Sequence, residues 1–408
     1  MSKPTVLIIG GGAAGFFAAC LLAEKHKNLN ITILEKDKEV LKKVRISGGG
    51  RCNVTHACYD PNDLVKFYPR GEKELYAPFL QFQPKDTIEW FSRNGVVLKT
   101  EADGRMFPIT DSSETIIDCF MRICKKHCVD IKLSCRVTSI RKADSKWEVI
   151  VSEKTMLSDY LIITAGSSPS IWAILGSLGH SIVPPVPSLF TFKVNDRTLN
   201  ELAGISLPAA SVKITGLKHS TFGPVLITHW GLSGPAILKM SAWASVELHE
   251  LKYEFNLEIN WLSTNYDNVL SDLKQTKETE AKKQMGNVVM YKIPYRFWIY
   301  LLNTSGIQPT QQWANITKKQ TQNLAANLTK FPLIVKGKST NKDEFVTAGG
   351  ISLKDVNFKS FQSKIHENIY FAGEVLNIDG LTGGFNFQSA WTGAYILSKD
   401  ISSKLSNL

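Results

Sequence analysis

The chain has 408 residues, 43% apolar and 21% charged, with 28 Gly and 16 Pro, a profile that excludes a disordered, collagen-like or coiled-coil protein. At roughly 100–200 residues per domain, this length implies two or three domains whose cores need neither disulfides nor structural metal. The net charge of +11 admits an anionic cofactor or a nucleic acid, but the basic residues are scattered, with Lys36, Lys38, Lys42, Lys43, Arg45 and Arg51 the densest group.

In chain order, Thr5–Ile9 reads as a buried strand running into Gly10, Gly11, Gly12, Ala13, Ala14 and Gly15. A helix follows, with Phe16, Ala19, Cys20 and Ala23 on one apolar face. It ends in the polar stretch Lys25–Asn30, and a second strand, Ile31–Leu34, leads to Glu35. The longest apolar run, Ala13–Ala23, is eleven residues. A bilayer span needs about 20, and the run follows a glycine cluster with no small-residue cleavage site. A cytoplasmic location and no membrane partner are therefore expected. Tyr160–Gly166 and Asn368–Gly373 each repeat the form of a buried parallel strand ending in a glycine turn. Between them the texture changes. Leu189–Val194, Pro224–Thr228 and Tyr253–Asn260 read as strands of a β-rich layer, and Val269–Thr276, Phe297–Leu302 and Thr317–Leu328 as short helices. Gln388–Ser398 reads as a closing helix. The seven Cys form no Cys-x-x-Cys pair and read as reduced thiols. Cys124 and Cys128 stand at helical spacing with only His127 nearby, so no metal site is expected.

A glycine fingerprint between a strand and a helix, with an acidic residue twenty positions on, points to a dinucleotide. Gly10 permits the tight turn, Gly12 lets a pyrophosphate approach N–H groups at the helix N-terminus, and Gly15 allows close helix–strand packing. Glu35 accepts from a ribose with free hydroxyls, as in FAD or NAD. Gly48, Gly49 and Gly50 bring backbone close to a ligand, beside Arg51 as fixed positive charge, with Cys52 and Asn53 following. Gly373, Glu374, Asp379, Gly383, Gly384, Phe385 and Asn386 build a second glycine-dense approach to a helix N-terminus. His229, before Trp230, is a candidate acid or base, with a structural role as the alternative. Arg105 is a candidate for binding an anionic substrate, with a loop-fixing salt bridge as the alternative.

These stretches, with Gly104–Pro108, Thr228–Pro235 and Val346–Ile351, make the chain resemble the BaiN/HI0933-like family of bacterial NAD(P)/FAD-dependent oxidoreductases over essentially its whole length. The resemblance implies an α/β fold of the two-dinucleotide-binding, glutathione-reductase type. A Rossmann-like FAD domain (1–188 and 343–408) would be interrupted by a β-barrel-like insert (189–342) with a small helical subdomain at about 263–332. It further implies that Gly10, Gly12, Ala13, Ala14, Gly15 and Glu35 hold the ADP half of FAD, with Lys36 beside the ribose and Val137 where the adenine is met. Lys43, Gly48, Gly49, Gly50, Arg51, Cys52 and Asn53 would lie near the pyrophosphate and flavin, and Ala165 and Gly166 belong to the same set. Thr347, Gly349 and Gly350 would come back against the isoalloxazine, and Gly373, Glu374, Asp379, Gly383, Gly384, Phe385 and Asn386 would form the ribityl and flavin-edge site. Two departures bear on the substrate side: Ala165–Ser168 lacks a further glycine, and the segment up to Gly176 is short.

The expected activity is FAD-dependent hydride transfer with a small organic substrate. NAD(P)H is a candidate transient donor, since no second glycine fingerprint marks a nicotinamide domain. One alternative is a nucleic-acid-associated flavoprotein of the tRNA-modifying kind. It is suggested by the net charge and opposed by the missing RNP or KH signature and the 24 residues after Gly384, so nucleic acid is not the expected partner. The other is a flavin-bearing redox protein without turnover.

Overall fold

The structure, a computed structural model, describes residues 3–152, 154–339 and 346–406. The chain divides into two compact units, Met1–Val186 with Val346–Leu408, and Pro187–Phe345. The domain junction expected at 342/343 lies outside the described residues.

In the first unit β1 (Thr5–Ile9) is an interior strand of a seven-stranded sheet. Tyr160–Ile163 flanks it on one side and β2 (Asn30–Leu34) on the other. Ile369–Phe371 and Asp130–Lys132 extend the sheet in parallel, and the two-residue strands Gln362–Ser363 and Val356–Asn357 finish one edge antiparallel. Continuous apolar runs such as Val6–Ile9, all buried, are what a parallel sheet covered on both faces requires. The register pairs Ile9 with Leu34 and with Ile163, and Ile163 with Phe371, so the C-terminal ends of four strands line up along one edge.

Helix α1 (Ala13–Lys25) starts at that edge. It is buried nearly all round, not on the single face its spacing suggests, because the helices Phe385–Ser406 and Glu114–Lys126 pack along it. Phe17 sits at the centre of this contact, 4.7 Å from the Trp90 ring and 5.2 Å from Trp391. Phe385–Ser406 extends beyond the expected Gln388–Ser398 at both ends. Its Gln388 accepts from Thr55 Oγ1 at 2.6 Å and Thr87 Oγ1 at 2.9 Å, and Trp391 Nε1 donates to Val54 O at 2.9 Å. Cys128 falls beyond the end of Glu114–Lys126, so it does not share a helical face with Cys124, whose Sγ instead lies 3.9 Å from that of Cys20.

The second unit is built on a closed antiparallel barrel. Its strand order is Phe192–Val194, Gly231–Ser233, Ser220–Thr228, Ser206–Ile214, Glu254–Asn260 and Phe331–Lys338, which returns to the first. Alternating inward residues (Val212, Ile214, Val225, Ile227, Leu257, Ile259) fill it. The expected strand Leu189–Val194 shortens to Phe192–Val194, with Leu189 at a φ of 57°. Between the last two barrel strands in sequence lie the helices Tyr266–Thr279, Tyr295–Thr304 and Lys318–Thr329. Asn265 caps the first through Asn268 N at 2.7 Å, and a Thr317/Gln320 capping box starts the last.

Candidate functional site

The glycine loop emerges from β1 at the aligned strand ends, where open α/β sheets bind ligands. Its glycines divide into two kinds. A Cβ on Gly15 would stand 2.2 Å from Gly10 O, and one on Gly10 would stand 2.5 Å from Thr164 O, so these two serve backbone packing. A Cβ on Gly12 meets nothing within 4 Å, and Gly12 has an ordinary φ of −95°. Its missing side chain leaves open space in front of the α1 N-terminus, which has neither a side-chain cap nor an acidic residue in its first turn. The N–H groups of Ala13, Ala14 and Gly15 and the helix dipole thus offer an anion site. Gly373 closes its other side at a φ of 76°, and a Cβ there would crowd that of Ala14 at 3.3 Å.

Glu35, at the end of β2, is half-buried and accepts from Gly11 N and Asp37 N, both at 2.9 Å. Beside it a solvent-open cleft is lined by Gly10, Glu35, Lys36, Val137 and Ala165, together with Leu34, Cys135, Arg136, Ser168, Ser170 and Ile171. The last six were not identified from sequence. Arg136 immediately precedes Val137, and Ser168 and Ser170 lie at the start of the helix Pro169–Ser177 that follows Tyr160–Ile163. Their signal was position next to a strand end, not residue type.

A second cluster gathers the other loops of this unit. Glu374 accepts from Thr347 N at 3.0 Å and pairs with Lys43, and a Cβ on Gly166 would lie 3.7 Å from its carboxylate. Lys42–Gly50 is helical until Ser47, Gly48 and Gly49 leave the helical region; Gly49 and Gly50 have positive φ and open space where a Cβ would stand. Ser113 anchors this loop, donating from its N to Gly50 O at 2.8 Å and from Oγ to Arg45 O at 2.8 Å. Asn53 ties it to the other glycine loop, with its amide accepting from Gly384 N and donating to Thr55 O, each at 3.0 Å. Asn386 pins that second loop through Gly380 N and O, both at 2.8 Å.

Phe385 stacks on Phe67 at 4.2 Å and on His56 at 4.7 Å. His56 Nε2 faces the Asp103 carbonyl at 3.1 Å and must donate to it, which leaves Nδ1 as a buried acceptor with no partner among the described residues. Burial pulls the His56 pKa down, so the ring favours this neutral form. His56 was not singled out from sequence, although it closes the run that begins at Gly48.

Several expected residues take other places. Asp379 is fully buried, and its two oxygens hold Arg70, so it acts on the site through the loop it anchors. A Cβ on Gly349 would meet Pro184 O at 2.7 Å, and one on Gly350 would meet Val375 O at 2.6 Å, so both glycines make room for backbone. Cys52 is buried, and desolvation pushes its thiol up to about 12, which makes it a poor nucleophile for covalent flavin attachment. Arg105 donates to Glu101 at 3.0 Å and Asp103 at 2.7 Å, the loop-fixing alternative. Arg51 bonds Glu101 at 2.6 Å and lies 4.0 Å over the Phe107 ring. His229 belongs to the barrel unit, exposed at the turn joining Ser220–Thr228 to Gly231–Ser233.

The first unit thus presents an anion-ready helix terminus, a carboxylate at the end of β2 beside an open cleft, and glycine loops with vacant Cβ positions, a set that fits FAD. Comparison with known proteins agrees. The family model described as HI0933-like protein Rossmann domain matches residues 4–400. A protein named ribosomal RNA dihydrouridine synthase from Haemophilus influenzae is 29% identical over 411 residues, covering 97% of this chain and 98% of its own length. One of the same name from Escherichia coli is 26% identical, covering 98% of each. A 3-dehydro-bile acid delta(4,6)-reductase from Clostridium scindens is 25% identical, covering 96% of this chain and 97% of its own. In fold, the chain is similar to the 3-ketosteroid delta1-dehydrogenase of Sterolibacterium denitrificans, with a TM-score of 0.51 at 10% identity over 98% of this chain and 100% of that one. The chain therefore belongs to the HI0933-like family and is an FAD-dependent oxidoreductase.

Proposed function

We propose that this protein reduces a carbon–carbon double bond conjugated to a carbonyl, and that its substrate is uridine in ribosomal RNA. The observation that carries the reading is the pair of full-length relatives named for ribosomal RNA dihydrouridine synthesis, joined to a net charge of +11. The relatives' two kinds of substrate share one chemistry. In uracil the C5=C6 bond is conjugated to the C4 carbonyl, and in a 3-oxo-4,6-diene steroid the double bonds are conjugated to the C3 carbonyl. Either acceptor takes a hydride at a carbon conjugated to the carbonyl, and a proton completes the saturation. FAD supplies hydride chemistry when bound, with NAD(P)H as the donor class. The polyanion is favoured because each phosphate neutralised by Lys or Arg releases counterions, a gain a compact steroid does not offer.

In this reading Gly12 and the N–H groups of Ala13, Ala14 and Gly15 hold the pyrophosphate, with Lys43 and Glu374 at its border. Glu35 and Lys36 take the adenosine ribose, and Val137, Arg136 and Ala165 frame the adenine. The loops of Gly48–Asn53 and Gly383–Asn386 approach the isoalloxazine, with Thr347 beside them. Arg105 is a positioning residue, committed to Glu101 and Asp103.

A second reading, reduction of a small enone, is favoured by the bile acid reductase relative. The test incubates FAD-loaded protein and NADPH, separately, with deproteinised ribosomal RNA lacking the modification and with a 3-oxo-4,6-diene steroid. Mass spectrometry of the nucleoside digest is expected to show dihydrouridine that depends on both protein and NADPH. Steroid reduction with unchanged RNA would replace the RNA reading by the second.

A further inference from the structure

We propose that the helical segment inserted between the barrel strands Glu254–Asn260 and Phe331–Lys338 is an RNA-docking element, and that its end bearing Lys282, Lys283, Lys318 and Lys319 grips the phosphate backbone. The inference rests on the ribosomal RNA reading above. Residues 263–332 contain nine Lys and Arg against four Asp and Glu, so this segment alone carries +5 of the protein's +11.

Backbone pairing brings the lysines together from distant parts of the segment. Ala314 N donates to Ala281 O at 2.9 Å, Trp313 N to Lys283 O at 3.0 Å and Met285 N to Gln311 O at 2.8 Å. Lys277 Nζ donates to Ile316 O at 2.9 Å, which fixes the C-terminal end of Tyr266–Thr279 beside the start of Lys318–Thr329. Lys283 is partly neutralised by Glu280 at 2.7 Å. Lys282, Lys318 and Lys319 are exposed and make no ion pair among the described residues. The first turn of Lys318–Thr329 has no acidic residue, so the helix dipole adds to their potential instead of being cancelled.

The scaffold beneath is rigid, since Trp313 and Met285 are fully buried and Trp298 Nε1 donates to Met285 O at 2.9 Å. The surface chemistry selects the occupant. In this segment the exposed large apolar side chains are Val289 and Tyr295, neither of them on the stretches that carry the lysines. A protein interface draws on an apolar, aromatic core, whereas a polar surface bearing uncompensated lysines matches a phosphate backbone.

The test measures binding of FAD-loaded protein to deproteinised ribosomal RNA between 50 and 200 mM salt, for the wild type, K282Q/K318Q/K319Q and K282R/K318R/K319R. At about 0.7–0.9 log units of salt slope per phosphate contact, loss of three lysines should flatten the slope by about two to three and weaken binding at least tenfold at 0.1 M salt. The Arg variant should bind as the wild type, and all three should keep the same bound-flavin spectrum and melting temperature. A Gln variant with wild-type affinity and slope overturns the docking assignment and leaves the ribosomal RNA reading standing. A wild type that neither binds ribosomal RNA at 50 mM salt nor forms dihydrouridine overturns both.

Discussion

The difference between Gly12 and Gly15 is one of what fills the space beside each. Gly12 faces open space at an ordinary φ, so Gly12→Val should fold with the melting temperature of the flavin-free wild type yet purify without FAD. Gly15 faces Gly10 O at 2.2 Å, so Gly15→Val should instead lower the stability of the apoprotein itself. Flavin absorbance and thermal melts of the two variants check this. Equal flavin occupancy in Gly12→Val and wild type would remove Gly12 from the site. Glu35 accepts two backbone N–H bonds and borders the cleft, and Glu35→Ala should weaken FAD binding by about 1–3 kcal/mol, on the scale of a lost hydrogen bond to a charged group. A dissociation constant unchanged by titration calorimetry would sink that role.

At the scale of elements, the two glycine loops are held by side chains from other parts of the unit: Ser113 on one, Asn53 between them, and Arg70 through Asp379 on the other. Asp379 is fully buried, so loss of the Arg70 guanidinium weakens the compensation of a buried charge. Arg70→Ala should therefore cost about 3–5 kcal/mol in urea unfolding, whereas replacing both members by apolar residues should recover part of that loss. If Arg70→Ala unfolds at the wild-type urea concentration, the ion pair does not anchor the loop.

Across the whole molecule, burial lowers the pKa of His180, His56 and His26 below the ordinary value of 6.5. Each is held neutral in the folded state, while the unfolded chain takes up a proton as pH falls below 6.5. Stability is thus at its full value above pH 6.5 and declines as pH drops from there through the lowered folded values. The melting temperature should fall between pH 7.5 and pH 5.5. It should fall less in His180→Gln, because His180 is buried, with its ring nitrogens 3.2 Å from Leu175 O and 2.8 Å from Ser363 Oγ. An identical pH dependence in that variant would assign the loss to other groups.

The strand, glycine turn, helix and Glu35 were legible in sequence because all their partners lie within one strand–helix–strand unit, where periodicity and turn chemistry act locally. The helices of the barrel insertion were legible for the same reason, up to their caps. The strand Phe331–Lys338 was not, because it exists by pairing with Glu254–Asn260 across more than seventy residues and with Phe192–Val194 around the closed barrel, and Ser206–Ile214 owes its place to Glu254–Asn260, more than forty residues on, as well as to its local hairpin with Ser220–Thr228. Likewise, Ser168 lines the cleft only because the sheet order sets Tyr160–Ile163 beside β1, and Arg136 because Cys135 N bonds Glu35 O at 2.7 Å. A glycine in the sequence does not say whether its missing side chain serves a ligand or a neighbouring backbone. Tertiary packing decides that, leaving Gly12 and Gly49 before open space and setting Gly349 and Gly350 against Pro184 and Val375.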